Sequence, residues 1–510
     1  MICEVFQMLY LSKSKYCGLW QCPKIAWMRK YKPEEVSIDE SVISRMEAGN
    51  VVGDLAMGLF GDYTEVTAYK DDKIDLSQMI ENTKTEMDKG TEIICEASFQ
   101  FEGLYCAVDI LKKTEYGWAI YEVKSSTKHE DGGDDKPVYI ADIAYQKYVL
   151  ENCGVNVTGT FLICLNKNYV FDGTLDINKL FVISDVSHEV PAEENNIKNN
   201  LAIAERLLNS SEEPDIDLHE NCKNPYLCGF WNYCSRNLPT PSVFNLYRMA
   251  FKKKIDHYRH GRIDYQSLLF CNKITNEKQL RQITHYLKDQ DDYIDKDAIQ
   301  EFLDTLSYPI YFLDFETVQP VIPEYIGTRP YAQIPFQYSL HYIEYEGGPL
   351  LHKEFLAESG VDPRRAIAER LCEDIPRNVC VTAYNKAFEC TRLKELAETF
   401  PDHSEHLLNI RNNIKDLLVP FQSGHYYNKA MGGSFSIKSV LPALFPNDAA
   451  LDYHNLEQIH NGGEAMSIFP KIKDMPKEEQ ETTRHNLLKY CELDTYAMVK
   501  VWEKLLEAVK

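Results

Sequence analysis

The chain has 510 residues, of which 44% are hydrophobic and 26% are charged, and these fractions exclude a collagen-like, a coiled-coil and a wholly disordered protein. It carries 55 basic and 78 acidic residues, a net charge of −23, which argues against a protein that coats nucleic acid through bulk positive charge. Any contact with nucleic acid is therefore expected in a local groove.

No membrane-spanning helix is predicted, because the longest apolar runs have only the length of a strand. Residues Met1 to Tyr10 lack the basic leader, the long apolar run and the small-residue cleavage site of a secretory signal. This segment is therefore predicted to be a first strand or helix. Together these features predict a cytoplasmic protein.

Changes in composition along the chain predict three domains. The first, residues 1–240, ends at the linker sequence Leu238 to Pro241. The second, residues 241–306, is predicted to be a helical and locally basic linker. The third comprises residues 307–510. Within the first domain the expected elements are a hairpin from Glu96 to Lys124, a solvated acidic loop from His129 to Lys136 and a helix from Tyr139 to Asn152.

The third domain has the pattern of a mixed-sheet α/β fold, in which three strands precede an alternation of helix and strand. Its predicted strands are Tyr308 to Glu316, Phe336 to Glu344, His352 to Ala357 and Val379 to Tyr384, and its predicted helices are Pro363 to Cys372 and Phe388 to Glu398.

Three charged residues of the predicted hairpin form a first candidate site. Glu122 and Lys124 are two residues apart, so they share one face of their strand, and the hairpin brings Asp109 beside them. Two carboxylates can hold a divalent cation that activates water. The lysine would position that water or stabilise the transition state. Charged residues on a solvated strand face give the same pattern by chance, and that interpretation stays open here.

The fifteen cysteines are predicted to be reduced thiols and metal ligands rather than a disulfide framework. Cys222, Cys228 and Cys234 follow one another at regular spacing, and Cys22 precedes a proline near the start of the chain. Four thiolates can close one iron-sulfur or zinc site, with Cys22 as the fourth ligand. Cys17 is predicted to be a packed thiol.

Residues 10–237 resemble the RecB-family PD-(D/E)xK nucleases of the iron-sulfur type, which include the CRISPR-associated RecB-like exonucleases. The resemblance implies a restriction-endonuclease-like domain stapled by a 4Fe-4S cluster on Cys22, Cys222, Cys228 and Cys234. It implies Asp109, Glu122 and Val123 as metal ligands, and Lys124, Gln146 and Tyr148 as further catalytic residues. Where this family often has a metal-ligating histidine, this chain has Gly53, and Asp54 is a candidate replacement. A zinc site on the four cysteines is the alternative.

A second candidate site lies in the third domain. Asp314 and Glu316 are two residues apart at the end of an apolar strand, and Tyr490 and Asp494 share one face of a terminal helix. Between them, the segment from Asn385 to Glu389 is a strand turning into a helix. Three separated acidic elements that converge suit a two-metal phosphodiester hydrolase, and a tyrosine can orient the attacking water.

These residues resemble the tyrosine variant of the DEDD superfamily of 3'-5' exonucleases, which have an RNase H-like fold. The resemblance implies Asp314, Glu316, Glu389 and Asp494 as metal ligands and Tyr490 as a catalytic residue. The position of Glu389 is normally an aspartate, one methylene shorter. The whole chain also resembles a bacterial family of uncharacterised proteins that fuses two such domains. Ser434, Ser436 and Lys438 are predicted to begin a helix, and Asp416 is predicted to support the site rather than to bind metal.

The sequence thus predicts an α/β multidomain protein with a PD-(D/E)xK domain, a helical linker and an RNase H-like mixed-sheet domain. The predicted activity is that of a Mg²⁺- or Mn²⁺-dependent exonuclease on single-stranded DNA, with two candidate nuclease sites, in DNA repair or phage defence. An RNA exonuclease and a nucleic-acid-binding scaffold with one or both sites inactive remain the alternatives. Because the chain has no phosphate-binding loop motif, any helicase would be a partner protein.

Overall fold

The computed structural model describes residues 11–37, 40–129 and 137–510. The predicted first element, Met1 to Tyr10, and residues 130–136 of the predicted acidic loop lie outside these ranges. The chain divides into two compact units, Met1–Asn237 with Val321–Tyr331 and Leu238–Pro320 with Ala332–Lys510. Residues 241–306, the predicted linker, therefore belong to the second unit. Within the described ranges, no helix combines the length and apolar composition that crossing a membrane requires.

The first unit is built on one mixed sheet with helices on both faces. Its elements, in chain order, are β1 (Leu11–Ser12), α1 (Lys13–Gln21), α2 (Lys24–Tyr31), α3 (Glu40–Met57), β2 (Thr64–Glu65), β3 (Tyr69–Lys70), β4 (Lys73–Ile74), α4 (Leu76–Lys89), β5 (Ile93–Phe101), β6 (Leu104–Lys113), β7 (Trp118–Lys128), α5 (Pro137–Asn152), β8 (Val157–Asn166), α6 (Ile177–Leu180), β9 (Phe181–Asp185), α7 (Glu194–Leu208) and α8 (Trp231–Cys234).

The main sheet of the first unit has the order β2-β5-β6-β7-β8-β9, and β1 pairs with β6. The strands β5, β6 and β7 are antiparallel, whereas β7 and β8 are parallel. The predicted hairpin turn is confirmed between β6 and β7, but the predicted range from Glu96 to Lys124 also contains most of β5, so it holds three strands and not two. The predicted helix from Tyr139 to Asn152 is confirmed as α5.

Alternation along β7 decides which side chains meet α5. Ile120 belongs to the core cluster that contains the buried face of α5, including Tyr145. Tyr121 and Val123 pack instead against the cluster on the opposite face of the sheet, which contains Val52 of α3. Because side chains on a strand alternate between faces, Glu122 and Lys124 must face α5.

The second unit contains the helices of the predicted linker and a second mixed sheet. Its elements, in chain order, are α9 (Phe251–Arg259), α10 (Tyr265–Phe270), α11 (Glu277–Leu287), β10 (Tyr293–Ile294), α12 (Lys296–Leu303), β11 (Ile310–Val318), β12 (Ile334–Ile343), β13 (Leu351–Leu356), α13 (Arg364–Asp374), β14 (Cys380–Ala383), α14 (Ala387–Thr399), α15 (Pro401–Asn412), β15 (Ile414–Asp416), α16 (Val419–Gln422), β16 (Tyr426–Tyr427), α17 (Ile437–Leu444), α18 (Gly462–Ile468) and α19 (Lys477–Val509).

The sheet of the second unit has the order β13-β12-β11-β14-β15. Its first three strands are antiparallel, and β14 and β15 run parallel to β11. All four strands and both helices predicted for this region are confirmed, with shifts of a few residues at their ends. The sequence therefore predicted a mixed α/β architecture correctly for the second unit.

The two faces of β11 have different chemistry. Leu313 and Phe315 enter a core cluster with Leu371 of α13 and Leu393 of α14. Asp314 and Glu316 therefore point to the opposite face, which α19 covers. The strand buries apolar side chains on one face and presents two carboxylates to a helix on the other.

Candidate metal centres

The first acidic centre lies between β6, β7 and α5. Lys124 Nζ donates to Glu122 Oε1 and to Asp142 Oδ2, both at 2.6 Å. Gln146 Nε2 donates to Glu122 Oε2 at 2.7 Å. Asp109 accepts a hydrogen bond from the Val123 N–H at 2.7 Å. Asp109, Glu122, Lys124 and Gln146, all named from the sequence, therefore come together.

Lys13, at the first position of α1, was not predicted for this centre. Its Nζ lies 3.0 Å from Glu122 Oε2 and 3.3 Å from Asp109 Oδ1. The ammonium thus occupies the space between two carboxylates where a divalent cation would be expected. Lys13 is 96 residues from Asp109 and 109 from Glu122, and no motif marks a lysine at such separations, so sequence patterns could not indicate this contact.

Charges within the first centre are nearly balanced. Burial raises the pKa of Glu122, but Lys124 and Lys13 oppose this and bring it well below its usual range. Burial, with repulsion from Glu122, raises the pKa of Asp109 to about 6. Burial also raises the pKa of Asp142, where repulsion from Glu122 adds to the effect. The two lysines compensate most of the negative charge that the fold concentrates here.

Three other residues of the first unit bear on this centre. Glu96 interrupts β5 with φ 57°, opposite Asp109, and burial raises its pKa to about 7. Sequence reasoning missed it, because nothing in the sequence indicates the interruption. Tyr148 packs, half-buried, against the hydrophobic core. Asp54 lies exposed on α3, and a Cβ at Gly53 would meet open space.

The second acidic centre joins β11 to α19. Asp314, Glu316 and Asp494 each offer a carboxylate oxygen, and these oxygens all lie within 4.8 Å of one another. Glu316 and Asp494 are almost fully buried. Tyr490, one turn before Asp494, is also buried and contributes to the hydrogen bonding of that carboxylate. An all-oxygen donor set of this kind suits Mg²⁺ or Mn²⁺.

Negative charge accumulates in the second centre. Burial, with repulsion from Asp494, raises the pKa of Asp314 well above its usual range and that of Glu316 to about 8. Burial raises the pKa of Asp494 to about 6. The cation that opposes these shifts is Lys438, and its effect is smaller than the repulsion on Asp314. A bound divalent cation would satisfy this excess of negative charge.

Glu389 lies in the first turn of α14 and is buried, and burial raises its pKa to about 8. Its Oε2 has no hydrogen-bond partner among the residues that the structure describes. Repulsion from Glu389 contributes to the raised pKa of Asp314, so the two carboxylates act on one another. A buried carboxylate oxygen without a donor fits a position next to a metal ion better than a purely structural one.

Several neighbours support the second centre. Tyr453 donates from its hydroxyl to Asp494 Oδ1 at 2.7 Å, a contact that the sequence did not predict. Asp416 accepts from the N–H groups of Asn385 and Lys386 at 2.9 and 3.2 Å, so it holds the turn that leads into α14. This agrees with its predicted supporting role. Ser436 occupies the N-cap position of α17, although its side chain makes no capping hydrogen bond.

Cys22, Cys222, Cys228 and Cys234 line one small cavity of the first unit. Burial raises the pKa of Cys22 to about 11, and the three other thiols add to this shift. Sulfurs around a tetrahedral zinc ion would lie about 3.8 Å apart. Among the described residues, the four cysteines are not in a group of three ligands within 4.8 Å of one another.

A cavity of about 520 Å³ opens beside the turn that precedes Glu389. Tyr247 and Arg248, from the predicted linker, line it together with Tyr384 and Phe435. Tyr247 and Phe435 pack with ring centroids 4.5 Å apart. Nearby, the pKa of Lys278 is lowered, first by burial and then by repulsion from Arg248 and Arg281. Positive charge is therefore concentrated in this region.

These features define a mixed α/β protein with two acidic centres and a site of four cysteines. A family profile described as Domain of unknown function (DUF2779) matches residues 311–436. That segment includes Asp314, Glu316 and Glu389. The chain is also similar to the Uncharacterized protein UU173 of Ureaplasma parvum serovar 3 (strain ATCC 700970), with 28% identity over 233 residues. This match covers 40% of the chain and 32% of the relative. The chain therefore spans about a third of that curated relative's length.

Proposed function

We propose that this protein is a metal-dependent nuclease that hydrolyses phosphodiester bonds of single-stranded DNA, and that its principal active site is the second acidic centre. The observation that carries the proposal is the convergence of Asp314, Glu316 and Asp494 within 4.8 Å of one another. Such convergence of buried carboxylates is costly unless a cation compensates them. In this proposal the second unit has an RNase H-like fold of the DEDD type.

Asp314, Glu316, Asp494 and Glu389 would hold the divalent cations, which supply charge neutralisation at the scissile phosphate and an acidified water. The remaining chemistry belongs to side chains of this protein. Tyr490 is placed to orient the attacking water, and Tyr453 fixes one oxygen of Asp494 so that the other could face a metal ion. Lys438 supplies a positive charge near the same carboxylates. These roles match what phosphodiester hydrolysis requires.

Single-stranded DNA is proposed as the substrate because of the cavity beside Tyr384. Aromatic rings with adjacent cations are the surface on which unpaired bases stack and phosphates bind. Tyr247, Phe435 and Arg248 supply both kinds of group in a protein whose net charge is −23. A groove of this kind would favour a strand end, which suits an exonuclease in DNA repair or phage defence.

The first unit is proposed to be a PD-(D/E)xK domain with a 4Fe-4S cluster on Cys22, Cys222, Cys228 and Cys234. Four thiols that line one small cavity support the cluster. Glu122, Lys124 and Gln146 interact as that nuclease family would need. Lys13, however, holds the two carboxylates of the metal position. The first centre is therefore proposed to be silent until Lys13 moves away.

Two alternatives are kept because specific observations favour them. An RNA exonuclease would use the same carboxylates and the same stacking surface. A nucleic-acid-binding scaffold is favoured by Lys13 in the first centre, since an ammonium there replaces the metal. One cleavage experiment distinguishes these two alternatives from each other and from the proposed DNA exonuclease.

The decisive experiment measures cleavage of single-stranded DNA and RNA of one sequence, each labelled at either end, with Mg²⁺ or Mn²⁺. Full-length wild type is compared with Asp494→Asn, Lys124→Ala and the control Glu344→Gln, an exposed position directly after β12. We expect Asp494→Asn to lose cleavage of DNA by at least about 10³-fold, a typical loss for an essential catalytic group. Glu344→Gln should cut as wild type does.

Each other outcome selects an alternative. Cleavage of RNA but not DNA, abolished by Asp494→Asn, would establish the RNA exonuclease. Cleavage that survives Asp494→Asn and disappears in Lys124→Ala would move the active site to the first centre. Binding without cleavage by metal-loaded wild type would establish the scaffold and overturn the proposal.

A further inference from the structure

A third group of potential ligands lies in the second unit, apart from the carboxylates assigned to catalysis. His341 of β12, His352 of β13 and Glu492 of α19 each offer one ligand atom, and these atoms all lie within 4.8 Å of one another. His341 is buried, and the other two are partly exposed. They line a cavity of about 480 Å³, to which Tyr496 and Lys489 also contribute.

Two hydroxyl groups orient the imidazole rings. Thr495 Oγ1 bonds Nδ1 of His341 at 2.8 Å, and Ser339 Oγ bonds Nε2 of His352 at 2.9 Å. The two hydroxyls are 2.7 Å apart and fully buried, so they form one fixed network. The ring nitrogen that remains for a metal ion is therefore Nε2 in His341 and Nδ1 in His352. Hydrogen bonds of this kind set the tautomer and orientation of histidines that ligate metals.

The three groups are close enough to meet at one ion after small side-chain rotations. Nδ1 of His352 lies 4.0 Å from Glu492 Oε1, and the two imidazole rings have centroids 4.4 Å apart. Lys489 Nζ is bonded to the other carboxylate oxygen, Oε2, at 2.6 Å. Oε1 therefore remains the oxygen directed to the histidines.

We propose that His341, His352 and Glu492 form a zinc site whose fourth coordination position faces the cavity and is filled by solvent. Two imidazoles and one carboxylate are a donor set that zinc prefers, whereas Mg²⁺ prefers oxygen alone. Three protein ligands with one open position distinguish this site from the closed tetrathiolate type. The proposal does not depend on nuclease activity.

A zinc ion here would fasten two strands to the helix that carries the second acidic centre. β12 and β13 supply the histidines and α19 supplies the glutamate. Thr495, the partner of His341, directly follows Asp494. The ion would therefore position α19 against the sheet on which Asp314 and Glu316 lie. The residues of this site are positioning residues, and none is assigned to contact substrate.

The test measures zinc content of full-length protein after treatment with a chelator, reconstitution with Zn²⁺ and removal of free metal. Wild type, His352→Gln and Glu492→Gln are compared with the control His485→Gln. His485 is exposed on α19, the helix that carries Glu492. All four proteins are prepared with Cys228→Ser as well as with the native cysteine, which separates this site from the thiols. We expect His352→Gln and Glu492→Gln each to bind one equivalent less per chain than His485→Gln in both backgrounds.

Cobalt reconstitution identifies the ligands by spectrum. In the Cys228→Ser background, nitrogen and oxygen ligands should give visible cobalt bands that disappear in His352→Gln and persist in His485→Gln. Equal zinc content in all variants, or a cobalt spectrum unchanged by His352→Gln, would overturn the proposal. Chelated wild type and chelated His352→Gln should have the same thermal unfolding temperature. If His352→Gln fails to fold, the result for Glu492→Gln decides.

Discussion

Neutralising one carboxylate of the second acidic centre should stabilise the metal-free protein at alkaline pH. Burial raises the pKa of Glu316 to about 8 from an ordinary value of 4.5, so the folded protein holds this proton where the unfolded chain releases it. Between those pH values the folded state binds more protons, and stability therefore falls as pH rises. Glu316→Gln removes this pH-dependent loss of folding stability, because glutamine carries no charge at any pH.

The size of the effect follows from the shift. Each pKa unit is worth about 1.4 kcal/mol, so a shift of this size costs at most about 4 kcal/mol at pH 8. Asp314, Glu389 and Asp494 relax when one neighbouring charge disappears, so part of the gain is shared among them. We expect Glu316→Gln to be more stable than wild type by about 2–4 kcal/mol at pH 8 without metal, and by less than about 1 kcal/mol at pH 5.

Hydrogen exchange of peptides from β11 and β12, read by mass spectrometry in EDTA, reports this local stability directly. A gain of about 3 kcal/mol slows exchange roughly 100-fold at a given pH. Mg²⁺ should slow exchange in wild type far more than in Glu316→Gln, since the variant has lost a ligand. Exchange that is equal in wild type, Glu316→Gln and the surface control Glu344→Gln at pH 8 would refute the view that this centre is electrostatically strained.

Three further predictions address single contacts. Lys13→Ala leaves Asp109 and Glu122 without their shared cation. We expect this variant to destabilise the metal-free first unit by about 3–5 kcal/mol in urea unfolding and to bind Mn²⁺ more tightly in calorimetry. Unchanged Mn²⁺ affinity would count against a site that Lys13 blocks. Tyr453→Phe removes the hydroxyl donor that lowers the pKa of Asp494. The acidic limb of the pH profile of cleavage should therefore move to higher pH by about one unit. An acidic limb that does not move would exclude this role for Tyr453. Cys228→Ser should remove visible absorption and bound iron from anaerobically purified protein, and an intact iron content would exclude Cys228 as a ligand, with Cys153→Ser as the exposed control.

Much of the second unit could be predicted because its signals are local. Alternation along β11 placed Asp314 and Glu316 on one face, and helical spacing placed Tyr490 and Asp494 on one face of α19. Local periodicity depends only on nearby residues, and for that reason it survives in the folded protein.

Contacts across long sequence separations could not be predicted in the same way. Tyr453 contacts Asp494 from a short 3-10 helix, and Lys13 contacts Glu122 across 109 residues of sequence. Neither residue belongs to a repeating pattern, and a tyrosine or lysine is common in any chain. The segment Val321–Tyr331 is a further example. It follows β11 in the sequence but belongs to the first unit, where the carbonyl oxygen of Thr328 accepts a hydrogen bond from the N–H of Phe171. Such returns of the chain depend on tertiary packing and leave no periodic signal.

The two acidic centres solve the same electrostatic problem in opposite ways. In the first, two ammonium groups lie within hydrogen-bond distance of the carboxylates, so the fold supplies its own cations. In the second, Lys438 opposes the charge without forming an ion pair among the described residues. The pKa values of Asp314, Glu316, Asp494 and Glu389 all rise there, whereas in the first centre the lysines bring the pKa of Glu122 below its usual range. A centre that lacks its own cation has the larger driving force to bind one. The proposed metal-dependent chemistry is therefore expected first at the second centre, and in this proposal the first centre binds a metal ion only after Lys13 moves away.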